Sequence, residues 1–445
     1  MNLRRWLQVG MGFKRWLLVV FIGELCLALG GAFALRQLYR DTDVSGPLQG
    51  VVYWVTLQPL GYVARGLIVG GIGLALFVLG SVKALRAIME PLRPPAADQP
   101  LVEVIYQKRF LARGPRIVAI GGGTGLSTLL RGLKEHTSNL TAVVTVADDG
   151  GSSGKLREHL GVPAVGDIRN CIVALADAEP LMAELLQYRF PEAEGTGLRT
   201  DSSSLAGHAI GNLLIAALTA VKGGDFEEGV RQMNRVLAVR GQVLPVSPTP
   251  VVLHARRTNG EMIVGQSLIA RATGIERVWL APDDVVVSED AVHAIEEADV
   301  IVLGPGSLFT SILPSLLMPR IRDAVRASTA VRIYVCNVAV QAGETAGFDL
   351  ADHLEALAAH TAPGLVDVVV ANNHVVSEGT DGSHSDPVKL RWPPKGPAAP
   401  RLVLDDVIDP AHPHHHDPVR LSAAILHVVE REGSARRRTG VARTA

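Results

Sequence analysis

The chain has 445 residues, of which 48% are hydrophobic and 20% are charged, so it is long enough for one large domain or two ordinary ones. A formal net charge of -1 gives it no overall attraction to nucleic acid, and we expect no nucleic-acid partner. Its three cysteines, Cys26, Cys171 and Cys336, include no Cys-x-x-Cys pair and are too few for a disulfide framework. A reducing compartment fits this composition.

Two long apolar segments lie before residue 90. Trp16–Leu35 has 20 residues with one charge, Glu24, and Leu67–Val82 has 16 residues with none. Because roughly 20 apolar residues cross a bilayer core of ~30 Å as a helix, both segments are predicted to be transmembrane helices. The first run exceeds the roughly 7 to 15 apolar residues of a signal peptide, which favours a retained anchor over a cleaved leader. Two buried core helices are the remaining alternative.

Basic residues flank this pair of segments on one side of the predicted membrane. Four precede the first segment and three follow the second, whereas the start of the connecting loop balances two arginines with two aspartates. The positive-inside rule then places both termini in the cytoplasm. The sequence therefore predicts a two-pass protein of the cell (inner) membrane with a cytoplasmic domain.

The composition of the chain changes after these segments. Pro91–Pro100 is rich in proline and cannot continue a helix. We predict a membrane anchor over residues 1–90, a linker over 91–115, a Rossmann-type domain over 116–432 and a basic tail over 433–445.

The predicted domain alternates short apolar runs with helical patterns. The runs expected to form buried parallel strands are Ile117–Ile120, Ala142–Ala147, Val300–Leu303, Val331–Val335 and Val366–Val370. The helical patterns are Leu126–Glu135, Ile210–Val221 and Asp290–Glu297. This alternation predicts an α/β fold, a Rossmann-like, open and mainly parallel sheet covered by helices. An Asn-Gly pair at 259–260, between Val251–Ala255 and Met262–Gly265, predicts a small antiparallel insertion.

A glycine cluster follows the first predicted strand, where residues 121–125 read GGGTG. Backbone N–H groups at a helix N-terminus bind anions, and glycine lets a ligand approach the backbone. Leu126 and Thr128 occupy the positions where a dinucleotide motif would have its third glycine, and no Walker lysine follows. The cluster therefore predicts a phosphate or nucleotide site, with a merely tight turn as the alternative.

A second loop follows the next strand, where Thr145–Leu156 reads TVADDGGSSGKL. The adjacent carboxylates of Asp148 and Asp149 could bind a ribose hydroxyl, a Mg²⁺ ion or both, and the Gly/Ser run could surround phosphates. A purely structural role, capping the next helix, is the alternative for each aspartate. Because ligands bind outside the carboxyl ends of parallel strands, we expect this loop and the GGGTG cluster to line one crevice.

Three later segments carry polar residues that fit the same crevice. They are GDIRN at 166–170, GHAIGN at 207–212 and GPGSLFTS at 304–311, and a further polar pair, Asn337 and the QAGET segment, lies later in the chain. Arg169 offers a fork suited to phosphate, and His208 and Asn212 are predicted to share one helical face. The segment at 304–311 repeats the order of strand, glycine turn and helix N-terminus.

A histidine cluster lies near the C-terminus, comprising His412 and residues 414–416. It could bind a metal, but three of the histidines are contiguous and no cysteine partner lies near. For the neighbouring segment Asp417–Arg420 we predict a capping role at the start of a terminal amphipathic helix.

These motifs together resemble a known family. GGGTGLSTLLRGLK, VTVADDGGSSGKLRE, GDIRN, GHAIGNLLI, LGPGSLFTSILP and CN…Q.GET, in this order, resemble the CofD/YvcK superfamily and most closely the YvcK-type gluconeogenesis factors. The resemblance implies a Rossmann-like domain that binds a UDP-sugar such as UDP-N-acetylglucosamine, supports cell shape and envelope synthesis, and is linked to gluconeogenic growth. It implies cell-wall synthesis proteins as partners, and we expect a homo-oligomer.

Two alternatives stay open. One is the CofD-like activity, a Mg²⁺-dependent 2-phospho-L-lactate transferase in which Asp148 and Asp149 would hold the metal. The other is a non-catalytic scaffold with a vestigial pocket. No catalytic residue is assigned. The predicted ligand-binding residues are Gly122, Gly123, Thr124, Gly125, Asp148, Asp149, Gly151, Ser152, Ser153, Asp167, Arg169, Asn170, His208, Asn212, Gly304, Gly306, Ser307, Asn337 and Glu344.

Overall fold

The structure is a computed structural model of the chain. It describes residues 110–177, 180–191, 205–374, 386–392 and 399–438, together with isolated positions between 21 and 77. The chain divides into two compact units, Met1–Ile105 and Tyr106–Ala445. Within the described residues, no helix has the length and apolar character needed to cross a membrane. The predicted spans Trp16–Leu35 and Leu67–Val82 fall almost entirely outside the described residues, as does most of the linker.

The second unit contains two sheets. In chain order its strands are β1 (Ile117–Gly121), β2 (Leu140–Val144), β3 (Gln242–Pro245), β4 (Val252–Arg257), β5 (Met262–Val264), β6 (Ile275–Ala281), β7 (Val300–Leu303), β8 (Val331–Val335), β9 (Val368–Asn372) and β10 (Arg401–Asp405). Every residue of β1, β2 and β7 is buried, as expected for apolar strands covered on both faces.

Helices fill the connections between these strands. In chain order they are α1 (Gly123–Leu133), α2 (Gly151–Leu160), α3 (Gly166–Leu175), α4 (Pro180–Gln187), α5 (Ile210–Val221), α6 (Phe226–Val236), α7 (Gln266–Ile269), α8 (Glu289–Glu296), α9 (Leu313–Leu316), α10 (Pro319–Ala327), α11 (Leu350–His360) and α12 (Pro418–Arg438). A 3-10 turn, Leu111–Arg113, precedes β1, and a π-helical turn, Leu308–Ile312, precedes α9.

The large sheet has seven strands in the order β10-β9-β8-β7-β1-β2-β3, and all of its neighbouring strands are parallel. The chain builds outward from β1 through β2 to β3, and then returns to place β7 on the other side of β1. Such a reversal leaves a crevice at the carboxyl ends of the two strands, where ligands bind in open α/β sheets. The loops after β1 and β7 are therefore the expected place for a ligand site.

The helix after β1 is anchored by a leucine face. Leu126, Leu129, Leu130 and Leu133 follow the i, i+3, i+4, i+7 spacing and are fully buried. The helix packs against α3 and α12. Burying each leucine contributes about 1.5 to 3 kcal/mol, so the position of the loop before α1 is well determined.

The predicted α/β fold with a mainly parallel sheet is confirmed, and so is the small antiparallel insertion. The insertion has one more strand than predicted, because β6 pairs antiparallel with β4 on the side opposite β5. Strands β3 and β10 were also not predicted, and most of residues 377–400, which precede β10, lie outside the described residues.

Several boundaries differ from the predictions. Strand β2 ends at Val144 rather than Ala147, because its partner β1 ends at the glycine loop. Helix α1 begins at Gly123 because the loop itself forms the first turn. At the other end of the domain, Asp417 Oδ1 accepts the N–H groups of Val419 and Arg420 at 2.8 and 2.8 Å, which confirms the predicted cap. Helix α12 continues to Arg438, so the segment predicted as a basic tail starts as helix.

Candidate functional site

A cleft of about 290 Å³ lies at the carboxyl ends of β1, β7 and β8. The loop after β1 lines it with Gly122, Gly123, Thr124, Gly125 and Thr128, and the loop after β7 adds Pro305, Gly306, Ser307 and Ser311. Residues 337–341 after β8 and residues 414–416 before α12 complete the lining. The predicted residues Gly122–Gly125, Gly306, Ser307 and Asn337 are therefore brought together at the crevice that the sheet topology creates.

The two glycine loops touch each other across this cleft. A Cβ added to Gly125 would lie 2.7 Å from the carbonyl oxygen of Pro305 and 3.2 Å from the N atom of Gly306. Neither Gly122 nor Ser307, the N-cap residues of α1 and of the π-helical turn, caps its segment with its own side chain. Asp167 and Glu344 accept the first-turn N–H groups of Gly123 and Phe309 from behind the loops. Two helical N-termini thus line one polar cleft, an arrangement suited to phosphate.

Asp167 lies behind the first glycine loop rather than in the cleft. Its Oδ2 is 2.4 Å from the position that a Cβ on Gly122 would occupy, and the backbone N–H of Gly123 donates to its carboxyl group. Burial, reinforced by the nearby Asp148 carboxylate, raises the pKa of Asp167 to about 6. This carboxyl group positions the loop and links it to the segment after β2.

The DDGGSSG segment forms a second polar cluster beside the cleft and does not line it. Ser152 Oγ accepts Asn212 Nδ2–H at 3.0 Å and the backbone N–H of Ala209 at 3.4 Å, and lies 3.1 Å from His208 Nδ1. With both lone pairs occupied, the hydroxyl donates to Nδ1, and the ring carries its proton on Nε2. Burial and nearby cations, Lys155 first, lower the pKa of His208, so the ring is neutral at neutral pH.

The prediction that His208 and Asn212 share one helical face is wrong. Helix α5 begins at Ile210, so His208 precedes it in extended chain. Phe190 N donates to the carbonyl of His208, and Ile210 N donates to the carbonyl of Tyr188, which ties this segment to the end of α4. The two side chains still meet, because both reach Ser152.

Arg169 carries the least satisfied polar group in this cluster. It is 8% exposed, and its Nη2 donates to Asn170 Oδ1 at 2.8 Å, but its Nε and Nη1 are buried without a hydrogen-bond partner. The Oδ1 atom of Asn212 is buried and unpartnered as well. Burial and the neighbouring Arg189 cation lower the pKa of Arg169. Unpaired buried donors cost free energy, so their presence indicates a ligand that completes them.

The two adjacent aspartates have different surroundings. Asp148 accepts the N–H of Gly150 at 2.9 Å, and burial raises its pKa. Asp149 Oδ1 accepts both the N–H and the hydroxyl of Ser267, at 2.8 and 2.6 Å. Asp149 therefore holds the antiparallel insertion against the loop, whereas Asp148 faces the polar cluster, where Ser153 donates to it.

Glu344 lies beneath the loop after β7. It is 1% exposed and accepts the N–H of Phe309 at 2.9 Å and the hydroxyl of Thr310 at 3.0 Å. Ser307 Oγ, at the surface of the cleft, receives a 2.6 Å hydrogen bond from Gln341 Nε2. The position of Glu344 suits a residue that shapes the loop.

Glu344 should make the stability of the fold depend on pH. Burial raises its pKa to about 7 from 4.5, so the folded state holds this proton more tightly than the unfolded state. The resulting stabilisation is complete below pH 4.5 and is lost as pH rises through 7. When the pH is raised from 5 to 8, the free energy of unfolding of wild type should fall by about 2 to 3 kcal/mol more than that of Glu344→Gln.

Urea unfolding followed by circular dichroism at the two pH values measures this difference. The exposed Glu355, on α11, offers a matched control, since Glu355→Gln removes a carboxylate with no buried partner. Equal pH slopes for wild type and Glu344→Gln would contradict the assigned protonation.

Several residues of the cleft were not among the predicted ligand-binding residues. They are Thr128, Ser311, Gln341 and His414, of which Ser311 and Gln341 belong to segments already singled out from the sequence. Thr128 is one turn into α1, so its position relative to GGGTG could have indicated it. His414 is far along the chain from both glycine loops, and only the tertiary fold brings it there.

Comparisons with known proteins agree with this geometry. Residues 117–390 match the family described as 2-phospho-L-lactate transferase CofD. A gluconeogenesis factor from Halalkalibacterium halodurans is 43% identical over 331 residues, covering 72% of this chain and 98% of its own length. The chain belongs to the CofD family. The resemblance to CofD/YvcK proteins predicted from the motifs is therefore confirmed, with gluconeogenesis factors among its relatives.

Other members of the CofD family match different shares of the chain. A relative from Nostoc sp. (strain PCC 7120) is 42% identical over 434 residues, covering 95% of this chain and 91% of its own. A crystal structure from Bacillus halodurans, 40% identical, superposes with a TM-score of 0.64 and covers 71% of this chain and 100% of its own. The N-terminal segment is thus matched in the first relative, while the second matches a part the size of the described domain.

Proposed function

We propose that the chain binds a UDP-sugar such as UDP-N-acetylglucosamine at the cleft between the two glycine loops, and that it acts as a regulatory protein of envelope synthesis and cell shape. The observation that carries the proposal is the meeting of two glycine loops, each followed by a helical N-terminus, at one cleft, Gly122–Gly125 against Pro305–Ser307. Phosphate oxygens suit this cleft. The unpartnered nitrogens of Arg169, beside the cleft, suit a further acceptor on a ligand that extends toward α3.

The predicted membrane anchor determines the cellular location that we propose for the domain. We place the domain on the cytoplasmic face of the cell membrane, held by two spans within residues 1–90, where a nucleotide-sugar signal could reach cell-wall synthesis proteins. Both termini would be cytoplasmic by the positive-inside rule. A homo-oligomer belongs to the same proposal.

A Mg²⁺-dependent transferase is the second candidate. The observation that favours it is the proximity of two carboxyl groups beside the first glycine loop, since the Asp148 carboxylate adds to burial in raising the pKa of Asp167. Mg²⁺ binds through one or two carboxylates together with substrate phosphates, so the two residues fit such an ion. The bound ion would neutralise phosphate charge during transfer. Among the described residues, no group of three or more His, Cys, Asp or Glu side chains is arranged for a metal.

Calorimetric titration separates these functions. The full-length protein, kept in mild detergent, is titrated with UDP-N-acetylglucosamine and with GDP, each with and without Mg²⁺. We expect the UDP-sugar to bind without metal and to be recovered unchanged. Tighter binding of GDP that depends on Mg²⁺ would favour the transferase. If neither nucleotide bound at millimolar concentration, the non-catalytic scaffold with a vestigial pocket would be the remaining function.

A further inference from the structure

The cleft has an unusual set of charges for a phosphate site. No Lys, Arg, Asp or Glu is among the described residues that line it, so its ionisable side chains are the three histidines at 414–416. The negative charge of a bound diphosphate would be stabilised by hydrogen bonds from backbone N–H groups, hydroxyls and these imidazoles. His415 is exposed, and the other two rings are distinguished by their hydrogen bonds.

His416 is already committed to the fold. It is 7% exposed, and its Nε2 lies 3.2 Å from the carbonyl oxygen of Cys336, which can only accept, so Nε2 is the donor. Burial lowers the pKa of His416 to about 4, and the ring is neutral at neutral pH. This bond fixes the loop before α12 to the end of β8.

His414 differs from His416 in having a ring nitrogen without a hydrogen-bond partner. Its Nε2 is shielded from solvent and unpartnered, while the residue as a whole is half-buried and lines the cleft with the first glycine loop. Main-chain bonds hold the loop in place on either side, since His415 N donates to His412 O at 2.8 Å and Asp417 N to Val407 O at 2.9 Å. The loop that carries the ring is therefore held at the cleft before any ligand arrives.

We infer that His414 is a binding residue of the cleft, and that its ring turns on ligand binding so that an imidazole N–H donates to a phosphate oxygen of the nucleoside diphosphate held between the glycine loops. This inference rests on the proposed function and adds the C-terminal loop to the site. The ring completes a phosphate environment otherwise built from Gly122–Gly125 and Ser307. An imidazole in this place supplies a directional N–H donor.

Replacing His414 tests the inference. Affinity for UDP-N-acetylglucosamine and for UDP is measured by calorimetry on the full-length protein. His414→Ala should weaken both ligands by about tenfold or more, because a hydrogen bond to a charged group is lost. His414→Gln should recover most of that loss, since its amide N–H can reach the place of Nε2. Because Nε2 makes no bond in the free protein, His414→Gln should not lower the melting temperature.

The control and the contrary outcomes are distinct. His412, whose ring pairs with Asp409 at 3.2 Å and does not line the cleft, gives the matched variant His412→Ala, with unchanged affinity expected. Wild-type affinity in His414→Ala overturns the inference alone, and so does a loss confined to the UDP-sugar, which would place the contact on the sugar. Absence of binding by wild type itself overturns the proposed function together with the inference.

Discussion

Replacing Arg169 with methionine should weaken UDP-N-acetylglucosamine binding by about a hundredfold while leaving the unliganded protein at least as stable as wild type. The two effects have one cause. The Nε and Nη1 atoms of Arg169 are buried without partners, so the free protein carries an unsatisfied charged group that costs about 1 to 3 kcal/mol. A ligand that accepts from these atoms gains charge-assisted hydrogen bonds of about 1.5 to 3 kcal/mol each. Methionine removes both the cost of unpaired donors in the free protein and the hydrogen bonds that the ligand would gain.

Arg240 provides the matched control. Its side chain is similarly shielded, with 11% exposed, but its Nε donates to Asp177 at 2.7 Å and its Nη1 to the carbonyl of Lys134 at 3.4 Å. Arg240→Met should therefore lower the free energy of unfolding by about 1 to 3 kcal/mol and leave affinity unchanged. Calorimetry and thermal unfolding measure the two variants side by side. If Arg169→Met instead lost stability and kept affinity, Arg169 would be a structural residue like Arg240.

Gly125→Ala should nearly abolish ligand binding. At an ordinary helical position this change would stabilise α1 by about 1 kcal/mol, since alanine has the higher helix propensity. Here the new Cβ would lie 2.7 Å from the Pro305 carbonyl oxygen, and a backbone atom cannot rotate away as a side chain can. The loop after β7 must move, which costs about 1 to 3 kcal/mol and separates the two walls of the cleft. We expect affinity to fall by about a hundredfold or more.

Gly161→Ala separates this effect from a general loss of stability. Gly161 ends α2 with φ +67°, and a Cβ there would meet nothing within 4 Å. Its alanine variant should lose about 1 to 2 kcal/mol from the left-handed backbone alone and keep wild-type affinity. Wild-type binding by Gly125→Ala would show that the two loops do not hold the ligand together.

Five of the seven strands of the central sheet could be predicted from the sequence because they are short, mainly apolar runs. Val300–Leu303 and Val331–Val335 are buried between β1 and β9, and their boundaries match the prediction. Strand β10, at the sheet edge, has no fully buried residue: two of its five residues are half-buried and three are exposed. Its pattern is weaker because an edge strand buries less of its surface.

The candidate site could be predicted only as a set of motifs. GGGTG and GPGSLFTS each follow a buried strand, and the switch in strand order brings them together as parallel-sheet topology requires. Sequence spacing could not show that Asp149 is bonded to Ser267, whereas Asp148 is not, because neighbouring residues differ only through tertiary contacts. For the same reason, His414 could not be identified from the sequence as a cleft residue, because its position depends on a loop that is held by the carbonyl of Cys336.

A crystal structure of the complex with UDP-N-acetylglucosamine would test the central claim most directly. The account predicts the diphosphate between Gly122–Gly125 and Gly304–Ser307, with a ligand acceptor on Arg169. A second cleft, of about 330 Å³, lies at the opposite ends of β1, β2 and β3, near Asn139 and Gln242. A diphosphate bound in that cleft, or anywhere away from the two glycine loops, would contradict it.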